Sequence, residues 1–197
     1  MIRKISLLTF SLLITANVSA KEFSYNYVEA AYGMISDSSL GVDIDGTGIG
    51  FGGSFDITPV IAATVSYEVV SYDTYAGIDV DTTALQFGIT GHTSISPKAD
   101  VFANFSIISA EIELSNGFSS ASDDDTGNVI SAGLRYEVQD NFELDAGFTR
   151  TDVFDDSSLS IGFGARFYTD NQLSFRVGYS TGDDVDTITL SARYNLK

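Results

Sequence analysis

The sequence predicts an all-β chain, an antiparallel up-and-down barrel that crosses a membrane with about ten strands. Three observations predict it. Apolar and polar residues alternate with period two along nearly the whole chain, and no stretch keeps the i, i+3, i+4 spacing of an amphipathic helix over several turns. The connections alternate between tight turns and stretches rich in Asp, Ser and Gly. The first twenty residues have the form of an export signal.

Composition sets the limits. The 197 residues contain no Cys and no Trp, 14 Phe and 10 Tyr, with 27 acidic against 10 basic side chains for a net charge of −17. An apolar fraction of 44% excludes wholesale disorder. Without Cys there is no disulfide framework, thiolate metal site or thiol nucleophile. The acidic balance excludes a nucleic-acid partner held by general electrostatics, because phosphate is repelled.

Met1-Ile2-Arg3-Lys4 is a short basic start, Ile5 to Ile14 is an apolar run, and Val18-Ser19-Ala20 is a small-x-small ending. Residues 1–20 are therefore read as a signal peptide and 21–197 as one barrel domain. A run of ten residues, broken by Ser and Thr, is too short to span a bilayer as a helix.

The strands follow in order. A strand over 23–35 precedes the Asp/Ser/Gly stretch 36–45; strands 46–56 and 61–72 flank a tight turn at Ile57 to Val60, set by Pro59. After 73–79, strands 80–94 and 101–114 flank the turn from Ser96 to Asp100 that contains Pro97. Beyond 115–126, strands 127–138 and 142–153 flank Gln139 to Asn141. In the second of these, Phe142, Leu144, Ala146 and Phe148 alternate with Glu143, Asp145, Gly147 and Thr149. After 154–157 comes 158–168, with Leu159, Ile161, Phe163, Ala165 and Phe167 on one face, and then a turn from Thr169 to Asn171. Strand 172–180 sets Leu173, Phe175, Val177 and Tyr179 against Ser174, Arg176, Gly178 and Ser180. Strand 186–196 closes the series after 181–185. Ten strands leave about 18 residues for each strand and its connection, and the alternative of eight leaves about 22.

The apolar face points outward, because the other face is mostly Gly, Ser, Thr and Asn with few charges, not the mixed charge of a soluble exterior. Inside, alternation places Glu29, Glu68, Gln86, Arg135, Glu137, Glu143, Asp145, Arg166, Arg176 and Arg193. Charges in a narrow lumen are expected to pair, forming a network able to plug the barrel. The Ile49-Gly-Phe-Gly-Gly-Ser-Phe55 and Ile161-Gly-Phe-Gly-Ala-Arg-Phe167 segments echo one another, with Gly50, Gly52, Gly162 and Gly164 facing inward to relieve crowding. Gly48-x-Gly50-x-x-Gly53 matches a dinucleotide fingerprint without the helix that would make it one.

The chain's end, Ile188-Thr-Leu190-Ser-Ala192-Arg-Tyr194-Asn-Leu196-Lys197, resembles the C-terminal strand of Gram-negative outer-membrane proteins, with Leu196 where an aromatic usually stands. The pattern over 21–197 resembles the small outer-membrane barrels, a group that includes OmpA-like, OmpX-like and porin-family proteins. The resemblance implies outer-membrane location, lipid and lipopolysaccharide as surroundings, and insertion by the barrel-assembly machinery through the C-terminal strand. It implies no activity.

With the N-terminus in the periplasm, parity puts the Asp-rich stretches outside the cell as five loops. Asp43-x-Asp45-Gly46 and Asp123-Asp124-Asp125 are the candidate cation-binding loops, since Ca²⁺ favours clustered oxygens, though neither has the closing Glu of an EF-hand. No resident metal or other cofactor is expected. His92-Thr93-Ser94 has the His-x-Ser spacing of outer-membrane lipid hydrolases, with Asn104 as a loose third member, but it falls at the periplasmic end. The expectation is a non-enzymatic barrel acting structurally or through its acidic outer loops. A narrow cation-preferring porin is the alternative, and a hydrolase using His92 and Ser94 the more remote one.

Overall fold

The computed structural model describes residues 25–38, 43–75, 77–170 and 172–196. The expected signal peptide at 1–20 and the first two residues of the expected first strand lie outside them. The described residues form ten antiparallel strands: β1 (Tyr27–Asp37), β2 (Ile44–Thr58), β3 (Ile61–Tyr75), β4 (Ile78–Ser96), β5 (Ala99–Ser115), β6 (Ser120–Gln139), β7 (Phe142–Val153), β8 (Asp156–Tyr168), β9 (Leu173–Gly182) and β10 (Val185–Asn195). Each pairs with its sequence neighbour, and β10 pairs back onto β1 from Tyr27 opposite Asn195 to Asp37 opposite Val185. The sheet is a closed barrel of ten strands, not eight, and has no free edge.

Because the strand count is even, β1 begins and β10 finishes at one end, called here the terminus end. The turns at that end are short: Pro59-Val60, Pro97-Lys98, Asp140-Asn141, and 169–172. In the last of these the Asp170 carboxylate accepts hydrogen bonds at 2.7 Å from the backbone N–H groups of both Leu173 and Gln172. These bonds hold its pKa below the ordinary aspartate value.

The opposite, far end corrects an expectation. Four of the five connections there are short: β3 and β4 are two residues apart, 116–119 joins β5 to β6, and Phe154-Asp155 and Asp183-Asp184 close the last two hairpins. The aspartates assigned to loops lie mostly on strands that rise past the apolar band. Asp45 is on β2, Asp79 on β4, and Asp123, Asp124 and Asp125 on β6. Alternating Ser, Thr, Ala and Asp pair as well as an apolar strand does, so β6 continues against β5 up to Ser120 opposite Ser115.

The two closing turns have positive φ at both central residues: 55° and 57° for Phe154 and Asp155, 48° and 68° for Asp183 and Asp184. That is the hairpin turn whose twist matches the strands. A left-handed backbone is costly for Phe. At Phe154 the cost is offset by a hydrogen bond from its N–H to Asp125 Oδ2 at 2.5 Å and by its side chain packing against the interior cluster below.

Alternation sorts the two faces. Phe51, Phe87, Ile89, Phe105, Ile107, Ile161, Phe163 and Val177 are exposed on the outside in a continuous band around the wall. An apolar exterior of this extent belongs in lipid, not water.

Candidate functional site

The inward face divides along the barrel axis into two unlike halves. At the terminus end four arginines, Arg135, Arg166, Arg176 and Arg193, and four carboxylates, Glu29, Asp100, Glu143 and Asp145, are all buried. Glu29 on β1 holds two guanidinium groups across the seam of the barrel: Arg166 Nη2 at 3.0 Å and Arg193 Nη2 at 2.5 Å, with the Ser191 hydroxyl donating to the same carboxylate. Arg166 also donates to Ser174 Oγ at 3.1 Å, and Arg193 lies over the Tyr27 ring at 3.7 Å. Arg176 makes a two-point contact with Asp145, Nε at 2.8 Å and Nη2 at 2.6 Å. Arg135 pairs with Glu143, which also accepts a hydrogen bond from the Tyr168 hydroxyl at 3.0 Å.

The local sequence explains how these long side chains fit. Arg176 spreads over Gly164 of β8 and Gly178 of its own strand, where an added Cβ would stand 2.3 Å from the guanidinium nitrogens. A side chain at either position would push Arg176 off Asp145. Two-point guanidinium–carboxylate contacts of this kind resist reorganisation. The four arginines and three of the four carboxylates, Glu29, Glu143 and Asp145, meet in ion pairs that fill this half of the lumen.

Of the residues expected in the lumen, Glu29, Arg135, Glu143, Asp145, Arg166, Arg176 and Arg193 are brought together. Two depart from the expected pairing. Glu137 is half-buried at the terminus-end rim, outside the network. Glu68 is buried but makes no hydrogen bond or ion pair among the described residues, because its cross-strand neighbours are Gly50 and Ala84. Gly50, Gly52, Gly162 and Gly164 do lie on the inward face.

Sequence reasoning missed three members of the plug. Asp100, on β5 directly opposite Arg135, accepts a hydrogen bond from the Tyr25 hydroxyl at 3.3 Å. Tyr25 in turn stacks on His92, with ring centroids 3.4 Å apart. Extending the strand expected over 101–114 by one residue into the turn would have found Asp100.

The far half corrects the expectation of a polar interior throughout. Ala84, Ile108, Ala110, Val129 and Val153 form one apolar cluster with Ile112 and Phe154 against it. Ala31, Ile35, Val70 and Val185 form a second, with Tyr72. The signal was present as apolar doublets, Val69-Val70, Ile107-Ile108 and Val129-Ile130, which put one residue on each face.

His92 and Ser94 do not form a dyad. His92 is buried against Tyr25 and neither ring nitrogen has a hydrogen-bond partner among the described residues, while Ser94 is exposed at the end of β4. Asn104 instead donates to the Thr64 and Thr90 hydroxyls at 3.4 and 2.9 Å and accepts from the Ser106 hydroxyl at 2.7 Å.

At the far rim, Asp125 is committed to backbone N–H groups of Thr126 and Phe154, and Asp152 to Arg150 at 2.7 Å. Asp123 and Asp124 are exposed on β6, Asp43 just before β2 and Asp45 on it. Among the described residues no three carboxylate or imidazole groups converge as metal ligands.

A closed antiparallel barrel with an apolar belt outside and an ion-paired plug inside is a transmembrane β-barrel. The chain belongs to the outer membrane protein beta-barrel domain family, whose model matches residues 5–180. Three solved barrels illustrate the fold. Neisserial surface protein A is 16% identical with a TM-score of 0.51, covering 88% of this chain and 98% of its own. The translocator domain of the autotransporter NalP from Neisseria meningitidis is 11% identical with a TM-score of 0.52, covering 86% and 88%. The β domain of the Bordetella autotransporter BrkA is 8% identical with a TM-score of 0.51, covering 88% and 100%. At these identities the likeness is one of fold. No curated protein matches the chain in sequence.

Proposed function

We propose that this protein is a non-enzymatic barrel of the Gram-negative outer membrane that acts structurally or through its far rim, not through its lumen. The observation that carries the reading is the plug: Arg135, Arg166 and Arg193 are each at most 1% exposed, Arg135 and Arg193 pair with carboxylates on the neighbouring strand, and Arg166 on β8 reaches past β9 and β10 to Glu29 on β1. Ion flow past such a network would require breaking buried charge pairs, at several kcal/mol each.

The rim supplies the surface. With the terminus end in the periplasm, the far rim faces outward, tallest along β4, β5 and β6 at 19, 17 and 20 residues against 10 and 11 for β9 and β10. Its tip is ordered and partly apolar: Asn116 Oδ1 accepts from the N–H groups of Phe118 and Ser119, and Phe118 is fully exposed among the acidic strand ends. An exposed aromatic on a fixed turn suits contact with a partner surface. Export by the leader, lipid and lipopolysaccharide around the belt, and assembly through the C-terminal strand belong to the same reading.

The test is single-channel recording of the refolded protein in a planar bilayer under a salt gradient, with folding checked by heat-modifiable gel mobility. A silent bilayer is expected. Reproducible cation-selective steps would replace this reading with a narrow porin.

A further inference from the structure

Between the plug and the apolar clusters, the barrel interior is hollow and polar, and one acid stands in it alone. Ser66, Ser131, Ser160, Ser180 and Thr189 all point inward by strand parity, yet each is only half-buried and keeps surface open to water. Gly50, Gly52 and Gly162 lie on the same inward face and contribute no side chain. Into this space project Glu68, 6% exposed, and Gln86, 9% exposed; neither has a hydrogen-bond or ion-pair partner among the described residues. The nearby titratable side chain is Tyr72, four residues further along β3 on the same face, with Val70 between them.

We infer that Glu68 and Gln86 form a binding site for a small organic ammonium ion in the middle of the barrel. A buried carboxylate without a partner is costly, and a cation that brings its own N–H donors removes the cost. Gln86 adds an amide oxygen, and the inward serines add hydroxyl acceptors. The ligand class follows from the rest of the wall. Ala84 stands directly across from Glu68 on one side and Gly50, which adds no side chain, on the other, so a short alkyl tail has room beside the carboxylate where a bare metal ion would lack ligands. Divalent ions need several clustered carboxylates, and only one is present here. The approach is from the far rim along β8 and β9, whose inward residues Ser158, Ser160, Ser180 and Gly182 leave that side free of apolar side chains. A bound cation needs no path through the plug, so a silent bilayer and a failed titration are separate results.

The test uses the full chain, ¹⁵N-labelled and refolded in detergent micelles, titrated with propylammonium chloride and, separately, with sodium chloride at equal ionic strength. The expected result is a saturable shift of the Ala84 backbone amide with propylammonium and none with sodium. Glu68→Gln, which keeps the shape and removes the charge, weakens the affinity by at least about tenfold. Gln86→Leu weakens it less, and retained heat-modifiable mobility shows that each variant is folded. The inference is overturned if no saturable shift occurs, if sodium shifts Ala84 equally, or if the response survives Glu68→Gln, which would place the cation at the acidic rim.

Discussion

The two halves of the barrel interior solve the same problem with opposite chemistry. At the terminus end, charges on β1, β6, β7, β8, β9 and β10 are locked into pairs, and each of the four arginines there is buried with a carboxylate. In the far half, small aliphatic side chains on β1, β3 and β10 and on β4 to β7 pack as a soluble core would. The difference teaches that a lumen of this width need not be uniformly polar. Ionic packing constrains geometry residue by residue, whereas aliphatic packing tolerates change of volume.

Substitutions should therefore rank by half. Glu29→Ala leaves Arg166 and Arg193 buried without their shared carboxylate and should cost about 3–5 kcal/mol, read as a lowered urea midpoint of the folded band. Loss of less than 1 kcal/mol would show that water enters and solvates the arginines, and would erase the contrast. Ile108→Ala in the aliphatic half should cost about 2–4 kcal/mol in the same assay. Gly164→Ala should cost about 1–3 kcal/mol, because the new methyl displaces Arg176 from Asp145, and Asp145→Ala in the same chain should remove most of that added cost. Arg150→Ala, which breaks the solvent-exposed pair with Asp152, should leave the midpoint unchanged within error. An effect there comparable to Gly164→Ala would mean that the rim carries stability as well as surface.

Much of this was legible because period two is a strict rule. Alternation alone put seven of the plug residues on one face, and the strand count and closure followed from turn punctuation. Pairing could not be read from alternation: Glu68 and Glu143 both face inward, but Glu143 lies within reach of Arg135 while the strands beside Glu68 offer only Gly50 and Ala84. The rim was misjudged because Asp and Ser suggest loops, whereas Ser120 to Gly127 is held as strand by its partner Ile108 to Ser115. The apolar doublets were visible but ambiguous, since either member could have faced lipid.

The Glu29 cluster joins residues 137 and 164 positions apart in the chain. Contacts of such separation form late, because loop closure must be met before they contribute. Neither Arg166 nor Arg193 can reach Glu29 until β8 and β10 have been laid down, so the network works as a latch on the order of assembly. A barrel arrested before its final strand would hold an unsatisfied acid at one edge and unsatisfied guanidinium groups at the other. Charge attraction across that gap would favour closure of the chain on itself over pairing with a second copy.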